Sequence, residues 1–476
     1  MSKNVFFAKF SELSGNRFDT AYYIPELVEL EKKVTNISKK RLKDFVLSVS
    51  SGATPKTTEQ SEYYTEDKES GIPFLRVQNL TTQGNLNTNN VKYINEKTHN
   101  GMLKRSQVEE NDLLIKITGV GRMAIASVPA VGFKGNTNQH MVVVKTKDRL
   151  TSQTLATYLN LDIAEKLASR RATGGTRPAL DYPALLSIPI IYDENIVVKL
   201  EEAYTLKDKK EKEAQKKIDS IDEYLLNELG IEMPSSEKES LEDRVFLRKF
   251  SDISGDRIDS EFYQTKYIQN DINLLKSKYN INNIGSITTF TASGATPKSG
   301  GNDYEENGNI YFLRLTNFNN NLEVDLTKSL YIKENIHNNM LKRSQLQIGD
   351  ILFGIAGSIG KIAIFDKDIK ANINQAIAIL RFKDDINRLF IAYLLNSIIL
   401  KQQINRHQRP VAQPNLNIEE LKALKIPLPP IKIQNKIASH IQQLRDEAKA
   451  LKDESVQIYE DTKKEVEDMI LGNLND

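Results

Sequence analysis

The sequence contains no cysteine. Disulfides, thiolate metal ligands and cysteine nucleophiles are therefore excluded, and a reducing, cytoplasmic setting is the expectation. Nor does it contain an apolar run of eighteen residues, so no membrane-spanning helix is expected. The opening MSKNVFFAKF lacks the apolar core of a secretory signal. Charge of one sign is scarce as well. The formal net charge is +2, so there is no strong overall basic field and any anion-binding surface must be local. There are five histidines (His99, His140, His337, His407 and His440), none at the spacing of a metal-binding pair, so no metal site is expected. A hydrogen-bonded structural role is the default for each.

What the sequence does have is a repeat. HNGMLKRSQ (His99 to Gln107) returns as HNNMLKRSQ (His337 to Gln345), with eight of nine positions identical. VFFAKFSELSGNRFDTAYY (Val5 to Tyr23) returns as VFLRKFSDISGDRIDSEFY (Val245 to Tyr263), with ten of nineteen identical. SGATPK occurs at Ser51 to Lys56 and again at Ser293 to Lys298. IPFLRVQNL, GVGRMAI and NTNQ in the first half match IYFLRLTNF, GSIGKIAI and NINQ in the second. A period of about 240 residues is domain-sized, unlike the short period of a solenoid. The 476-residue chain, 39% apolar and 27% charged, is too long for one core and has the composition of a globular protein.

Each half mixes strands and helices and then ends in a long helix. DLLIKIT (Asp112 to Thr118), MVVVK (Met141 to Lys145) and AIAILRF (Ala376 to Phe382) read as buried strands. Ser152 to Arg171 and Leu389 to Arg406 read as helices. Long helices are predicted over about Asn195 to Leu229 and Lys432 to Leu471, with Gly230 and Gly472 as their stops. Ile218, Ile221, Leu225 and Leu229 on the first, and Ile437, Ile441, Leu444 and Leu451 on the second, form apolar seams spaced by three and four. A single long helix is marginal in water, so the two should pack on each other. At 1.5 Å per residue each is roughly 50–60 Å long, and an antiparallel pair would form a rod with a globular domain at each end. The expected fold is α+β: two tandem mixed α/β domains, 1–190 and 233–428, each followed by a long helix, 191–232 and 429–476, the helices forming an antiparallel coiled coil.

Candidate catalytic motifs fail on inspection. GIAGSIGK (Gly354 to Lys361) has Ile355 where a phosphate-binding loop needs glycine and Ile362 where it needs a hydroxyl. A tight glycine turn between strands fits better, with Arg122 and Lys361 at its exit as possible phosphate contacts. The only adjacent prolines, Pro429 and Pro430, are flanked by Leu428 and Ile431, not by the amide and aromatic that hold a flipped base for amino-methylation. PLPPI reads instead as a rigid lead-in to the last helix. Asp112 and Asp350 correspond between the halves, and a turn-forming role accounts for both. No catalytic residue is assigned.

Basic and amide residues recur in register. They are Lys56 with Lys298, Arg76 with Arg314, and Lys104 and Arg105 with Lys342 and Arg343. Gln139 and Gln375 close the NTNQ and NINQ segments, and clusters with Arg170, Arg171 and Arg177, and with Arg406 and Arg409, close the two domains. Such side chains suit phosphate and base-edge contact; ordinary solvated charge is the alternative for any one of them. The lysine-rich run Lys207 to Lys217 reads as a solvated helix face. Residues shared by both halves should be scaffold or backbone contacts, and those that differ should read sequence.

The tandem plan, the SGATPK loop, the LKRSQ segment with an aspartate five residues on, the glycine turn ending in Arg or Lys, and the Ile-Pro strand before each long helix (Ile188 with Pro189, Ile426 with Pro427) together resemble the DNA specificity subunit of type I restriction–modification systems. The first half, IPIIYDENIVVKL, lacks the Pro-Leu-x-x-Gln type of lead-in, which leaves the start of its helix open. The resemblance implies two target recognition domains reading a bipartite, asymmetric site on double-stranded DNA, with the helix pair as a ruler. It also implies docking of two methyltransferase subunits that carry S-adenosylmethionine and methylate adenine, and of restriction subunits that cleave unmodified DNA. This chain would itself hold no cofactor and perform no catalysis. The competing readings are a self-sufficient enzyme and a structural coiled-coil or protein-interaction module without a DNA role.

Overall fold

The structure is a computed structural model that describes residues 6, 17–56, 60–232, 245–249, 253, 258–298, 302–408 and 415–472. Most of the opening repeat (Val5 and 7–16; 250–252 and 254–257), residues 57–59 and 299–301, the expected boundary at 233 and Arg409 lie outside the described residues. The chain divides into two compact units, Met1–Glu211 with Lys452–Asp476, and Lys212–Leu451. The α+β class read from the sequence holds, with long helices over Asn195–Leu229 and Ile431–Ile470. The units do not follow the expected domain limits, because each takes a segment of both long helices.

In the first unit a four-stranded antiparallel sheet runs in the order Ser48–Ser51, Met141–Lys145, Leu113–Lys116, Ala126–Ser127. A five-stranded sheet lies beside it in the order Tyr64–Thr65, Lys92–Ile94, Ile72–Leu75, Lys134–Thr137, Gln107–Glu109. Alternation along the central strands explains their unbroken apolar runs. Leu113, Ile115, Val142 and Val144 join a core with the helices, whereas Leu114, Met141 and Val143 join a core with the second sheet. A strand covered on both faces has no polar side to show. The second unit repeats the plan, with Ile351, Phe353 and Leu380 toward its helices and Leu352, Ile377 and Ile379 toward its second sheet.

Each segment read as a single helix from the sequence is in fact two. Arg149–Leu159 and Asp162–Arg171 are separated at Asn160, whose amide exchanges hydrogen bonds with the backbone of Ala126 (Nδ2 to the carbonyl, 2.7 Å; N–H to Oδ1, 3.1 Å). Arg388–Asn396 and Ile398–His407 break at Ser397, whose hydroxyl donates to the Leu394 carbonyl at 2.6 Å.

The long helices run antiparallel within each unit. In the first, Lys199 pairs with Glu465 and Lys210 with Glu454. In the second, Lys217 pairs with Glu447 and Lys436 with Glu228. Exposed pairs of this kind contribute little stability, so their main effect is on register. The run Lys207 to Lys217 is thus only partly a solvated face. The apolar seams also do more than join two helices. Leu225, Leu229, Ile437 and Ile441 are fully buried in the core of the second unit, with Ile221 packed on it, while Ile218, Leu444 and Leu451 remain half-buried. Ile196, Val197, Leu200, Val466 and Ile470, outside the predicted seams, enter the core of the first unit.

A carboxylate from a long helix caps a domain helix in each unit. Glu467 accepts from the backbone N–H of Asp162 and of Ile163 (3.1 Å to the latter), at the start of Asp162–Arg171. Asp222 accepts from the N–H of Ile398 at 3.2 Å, at the start of Ile398–His407. Burial pushes both carboxyls above their ordinary range, more than these N–H donors offset. A carboxyl raised in the folded state stabilises most below its unfolded pKa and loses that contribution as pH rises through its folded value. Wild type should therefore lose stability relative to Glu467→Gln as pH rises from the ordinary glutamate range through the raised value. Glu467→Gln keeps an acceptor oxygen and should hold the melting temperature at pH 7. Glu467→Ala should lower it by about 2–4 °C for a cap contribution of about 1 kcal/mol. Melting curves across pH check both expectations.

Candidate nucleic-acid interface

Three repeated motifs meet around one buried asparagine in each unit. Asn136 donates through Nδ2 to the Leu103 carbonyl at 2.8 Å, and its Oδ1 meets Nδ1 of His99. Asn372 donates to the Leu341 carbonyl at 2.8 Å and to Ser344 Oγ at 3.1 Å, and its Oδ1 meets Nδ1 of His337 at 2.5 Å. With the amide nitrogen donating to a carbonyl, the oxygen faces the ring, and Nδ1 of each histidine is the donor. Gln107 and Gln345 then donate to the backbone carbonyls of His99 and His337 at 3.2 and 3.0 Å. His99 and His337 are thereby structural.

The SGATPK loops lie against the same strands. An added Cβ at Gly52 would stand 1.7 Å from the Thr137 carbonyl oxygen, and one at Gly294 would stand 1.9 Å from that of Ile373. Only glycine permits so close a backbone approach. Thr54 then donates to Gln139 Oε1 at 2.6 Å, and Thr296 makes the same bond to Gln375.

This scaffold presents a short 3-10 turn in each unit, Lys104–Ser106 and Lys342–Ser344. Lys104, Arg105, Lys342 and Arg343 are exposed, and none of their side chains has a hydrogen bond or ion pair among the described residues. Lys56, Lys298, Gln139 and Gln375 are exposed on the neighbouring loop and strand end. Sequence reasoning passed over Met102 and Met340, which are 52% and 51% exposed just before the same turn, and Asn100 and Asn338 near them. Folding explains identity at the buried positions Leu103 and Ser106, but not at four of five exposed ones. A partner common to both repeats does explain it. Exact identity at solvent-facing positions was the available signal.

Other nominated cations are committed internally, and the structure removes them from an exposed surface. Arg170 is buried and ion-paired with Glu31, donates from Nε to the Tyr22 carbonyl at 2.7 Å, and lies 4.1 Å over the Tyr22 ring. Arg171 is buried against Glu31 at 2.5 Å and Ser187 at 2.9 Å. Arg406 repeats Arg170, binding Asp271 at 2.6 Å and the Phe262 carbonyl at 2.9 Å. These arginines end a helix that packs on the start of the domain, so they lock the fold instead of lining a loop. Arg122 binds Asp162 and the Leu161 carbonyl, both at 2.6 Å, and Lys361 donates to the Leu315 carbonyl at 2.9 Å. The glycine turns those two residues leave are real, with positive φ at Gly119, Gly121, Gly357 and Gly360. Asp112 and Asp350 close turns by accepting from Glu109 N–H and Gln347 N–H, both at 2.7 Å. Arg177 is exposed, 3.2 Å from His140 Nε2, and burial together with this neighbour lowers the His140 pKa. Arg76 and Arg314 are half-buried, and each has a buried Nε without a partner.

Asn372→Ala should lower stability in denaturant titrations by about 1–3 kcal/mol, because it strands the buried His337 and a carbonyl. Arg343→Ala, on the exposed turn above it, should stay within about 0.5 kcal/mol of wild type.

Residues 276–458 match the family described as "Type I restriction modification DNA specificity domain". The chain is 33% identical over 138 residues to the type I restriction enzyme EcoBI specificity subunit of Escherichia coli, an alignment spanning 28% of each protein. It is 35% identical over 122 residues to a putative type I restriction enzyme MjaX specificity subunit of Methanocaldococcus jannaschii, covering 24% of this chain and 28% of that one. Each alignment thus spans little more than a quarter of the relative. A solved structure titled for complex assembly and conformational transition of the type I R-M system aligns over 91% of this chain and 96% of its own, with a TM-score of 0.51 at 14% identity, a likeness of fold. The second repeat thus supplies a direct match to the DNA specificity domain of type I restriction–modification systems, and the chain as a whole shares the fold of a solved type I system component.

Proposed function

We propose that the chain is the sequence-reading subunit of a type I restriction–modification complex. Residues 1–190 and 233–428 act as target recognition domains on double-stranded DNA, one for each half of a bipartite, asymmetric site. Two methyltransferase subunits dock on it, bring S-adenosylmethionine and methylate adenine, and restriction subunits join to cleave unmodified DNA. The chain serves as a non-catalytic adaptor in the cytoplasm, and the length of the helix pair sets the spacer. Beyond the family match of residues 276–458, the observation that carries this reading is the duplicated turn with Lys104 and Arg105, and Lys342 and Arg343, whose exposed side chains have no hydrogen-bond or ion-pair partner among the described residues. Two domains reading different bases still share one sequence-independent feature of their ligand, the phosphate backbone. No helix among the described residues is long and apolar enough to cross a membrane.

The direct test is a methylome. The chain is expressed with the methyltransferase encoded beside it in a host without adenine methylation. A bipartite motif that appears only when this chain is present is the expected result. The same motif without it would mean that the partner reads DNA alone.

Replacing both Lys104 and Arg105 by Ala should weaken DNA binding of the complex on all sequences alike. The slope of log affinity against log salt should fall by about 2. An unchanged slope would place the turn off the DNA. Exchanging residues 1–190 for the first domain of another system should alter one half-site only; a change in both would overturn independent reading.

A further inference from the structure

The second unit contains an open recess of about 390 Å³ between its SGATPK loop and the edge of its second sheet. Arg314 forms part of the lining, with Nε buried and unpaired. A buried donor without a partner is destabilising unless a ligand supplies an acceptor. The aromatic wall is Tyr304 edge-on to Phe312, at 5.9 Å between ring centres. Thr296 and Asn374 complete the polar part.

Strand register identifies the same positions in the first unit. Tyr64 pairs with Ile94 as Tyr304 pairs with Ile332, and Phe74 pairs with Lys92 as Phe312 pairs with Leu330. Five of the seven lining positions are then unchanged: Thr54, Tyr64, Phe74, Arg76 and Asn138 stand where the second unit has Thr296, Tyr304, Phe312, Arg314 and Asn374. Tyr64 and Phe74 even keep the edge-on contact, at 6.1 Å, and Arg76 keeps the unpaired Nε. The other two positions reverse the electrostatics. Glu305 becomes Thr65 and Leu330 becomes Lys92, whose ammonium lies 5.4 Å from the centre of the Tyr64 ring. Lys92, Glu305 and Leu330 are all exposed at the rim. A set of positions shared by both repeats, with two exchanged rim residues, is the arrangement expected of a site that takes one class of ligand and chooses between its members.

We propose that this recess and the matching positions of the first domain each read one base pair, and that Thr65 with Lys92 in the first domain and Glu305 with Leu330 in the second determine which base is preferred. The inference rests on the DNA-recognition reading above. Lys92, a donor, selects an acceptor-bearing edge such as guanine O6 and N7. Glu305, an acceptor, selects an exocyclic amino group, as on cytosine or adenine. The shared arginine supplies the contact common to both.

The test is the double exchange Glu305→Thr with Leu330→Lys, expressed with the methyltransferase and read as a methylome, beside the reverse exchange Thr65→Glu with Lys92→Leu. The first should move preference at one position of one half-site from cytosine or adenine toward guanine by about tenfold or more, leaving the other half-site as it was. The reverse exchange should shift one position of the other half-site in the opposite sense. Undiminished methylation of the original motif by both variants would overturn the proposal. Should a variant methylate nothing, its melting temperature is measured, and the folded complex is used to select from a randomised duplex pool. Enrichment of a site changed at one position supports the proposal, and enrichment of the wild-type site or of none overturns it. If wild type itself yields no motif that depends on this chain, the DNA-recognition reading fails first, a result distinct from either.

Discussion

The constraint on which each half of this protein depends is a buried primary amide. Asn136 and Asn372 sit in strands paired in parallel with Ile72–Leu75 and Ile310–Leu313, and both are fully buried. Each uses its nitrogen on a turn carbonyl and its oxygen on an imidazole, so one side chain ties a strand to the turn bearing the paired cations. Such a network is worth most when every member is satisfied, and a partly satisfied one is worse than an apolar core. This explains why the histidine, leucine, serine and glutamine of the motif recur together. A change at any one of them leaves another without its partner.

Most of the architecture was legible because it is local or repeated. The long helices announce themselves by apolar spacing and terminal glycines. The strands buried on both faces announce themselves by runs such as MVVVK, and the duplication exposes the motifs that must meet. What escaped the sequence was action at a distance. Nothing near Asp162 predicts that Glu467, some three hundred residues later, caps its helix. Nor does ASRRATGG say that its two arginines face Glu31 and not solvent. An arginine's length lets it reach either way, and only the position of the opening segment decides. The helix breaks at Asn160 and Ser397 were hidden for a similar reason, since side chains that elsewhere point to water here bond neighbouring backbone.

In the candidate interface the repeat served as an internal control. Comparing two copies separates residues that the fold requires from those it tolerates, and neither copy alone makes that separation. Leu103 and Ser106 are explained by burial, whereas Met102, Lys104 and Arg105 are identical to their counterparts and yet exposed. The recess applies the same comparison in reverse. Its aromatic and arginine walls are kept, and the rim beside them changes charge.

The make-up of the two units bears on how the chain comes into being. The first unit includes Lys452–Asp476, and Val466 and Ile470 fill its core beside Leu113 and Val142. The second unit, by contrast, is continuous, from Lys212 to Leu451. During synthesis the amino-terminal unit cannot complete its core when its own strands and helices emerge from the ribosome. It must wait, with an apolar face uncovered, until Val466 and Ile470 are made, while the unit from Lys212 to Leu451 can close beforehand. Contacts so far apart in sequence are slow to form, and uncovered apolar surface favours association with other chains. The order of maturation of the two units is thus the reverse of their order of translation, and the helical turns that carry Val466 and Ile470 act as the closing step for the earlier one.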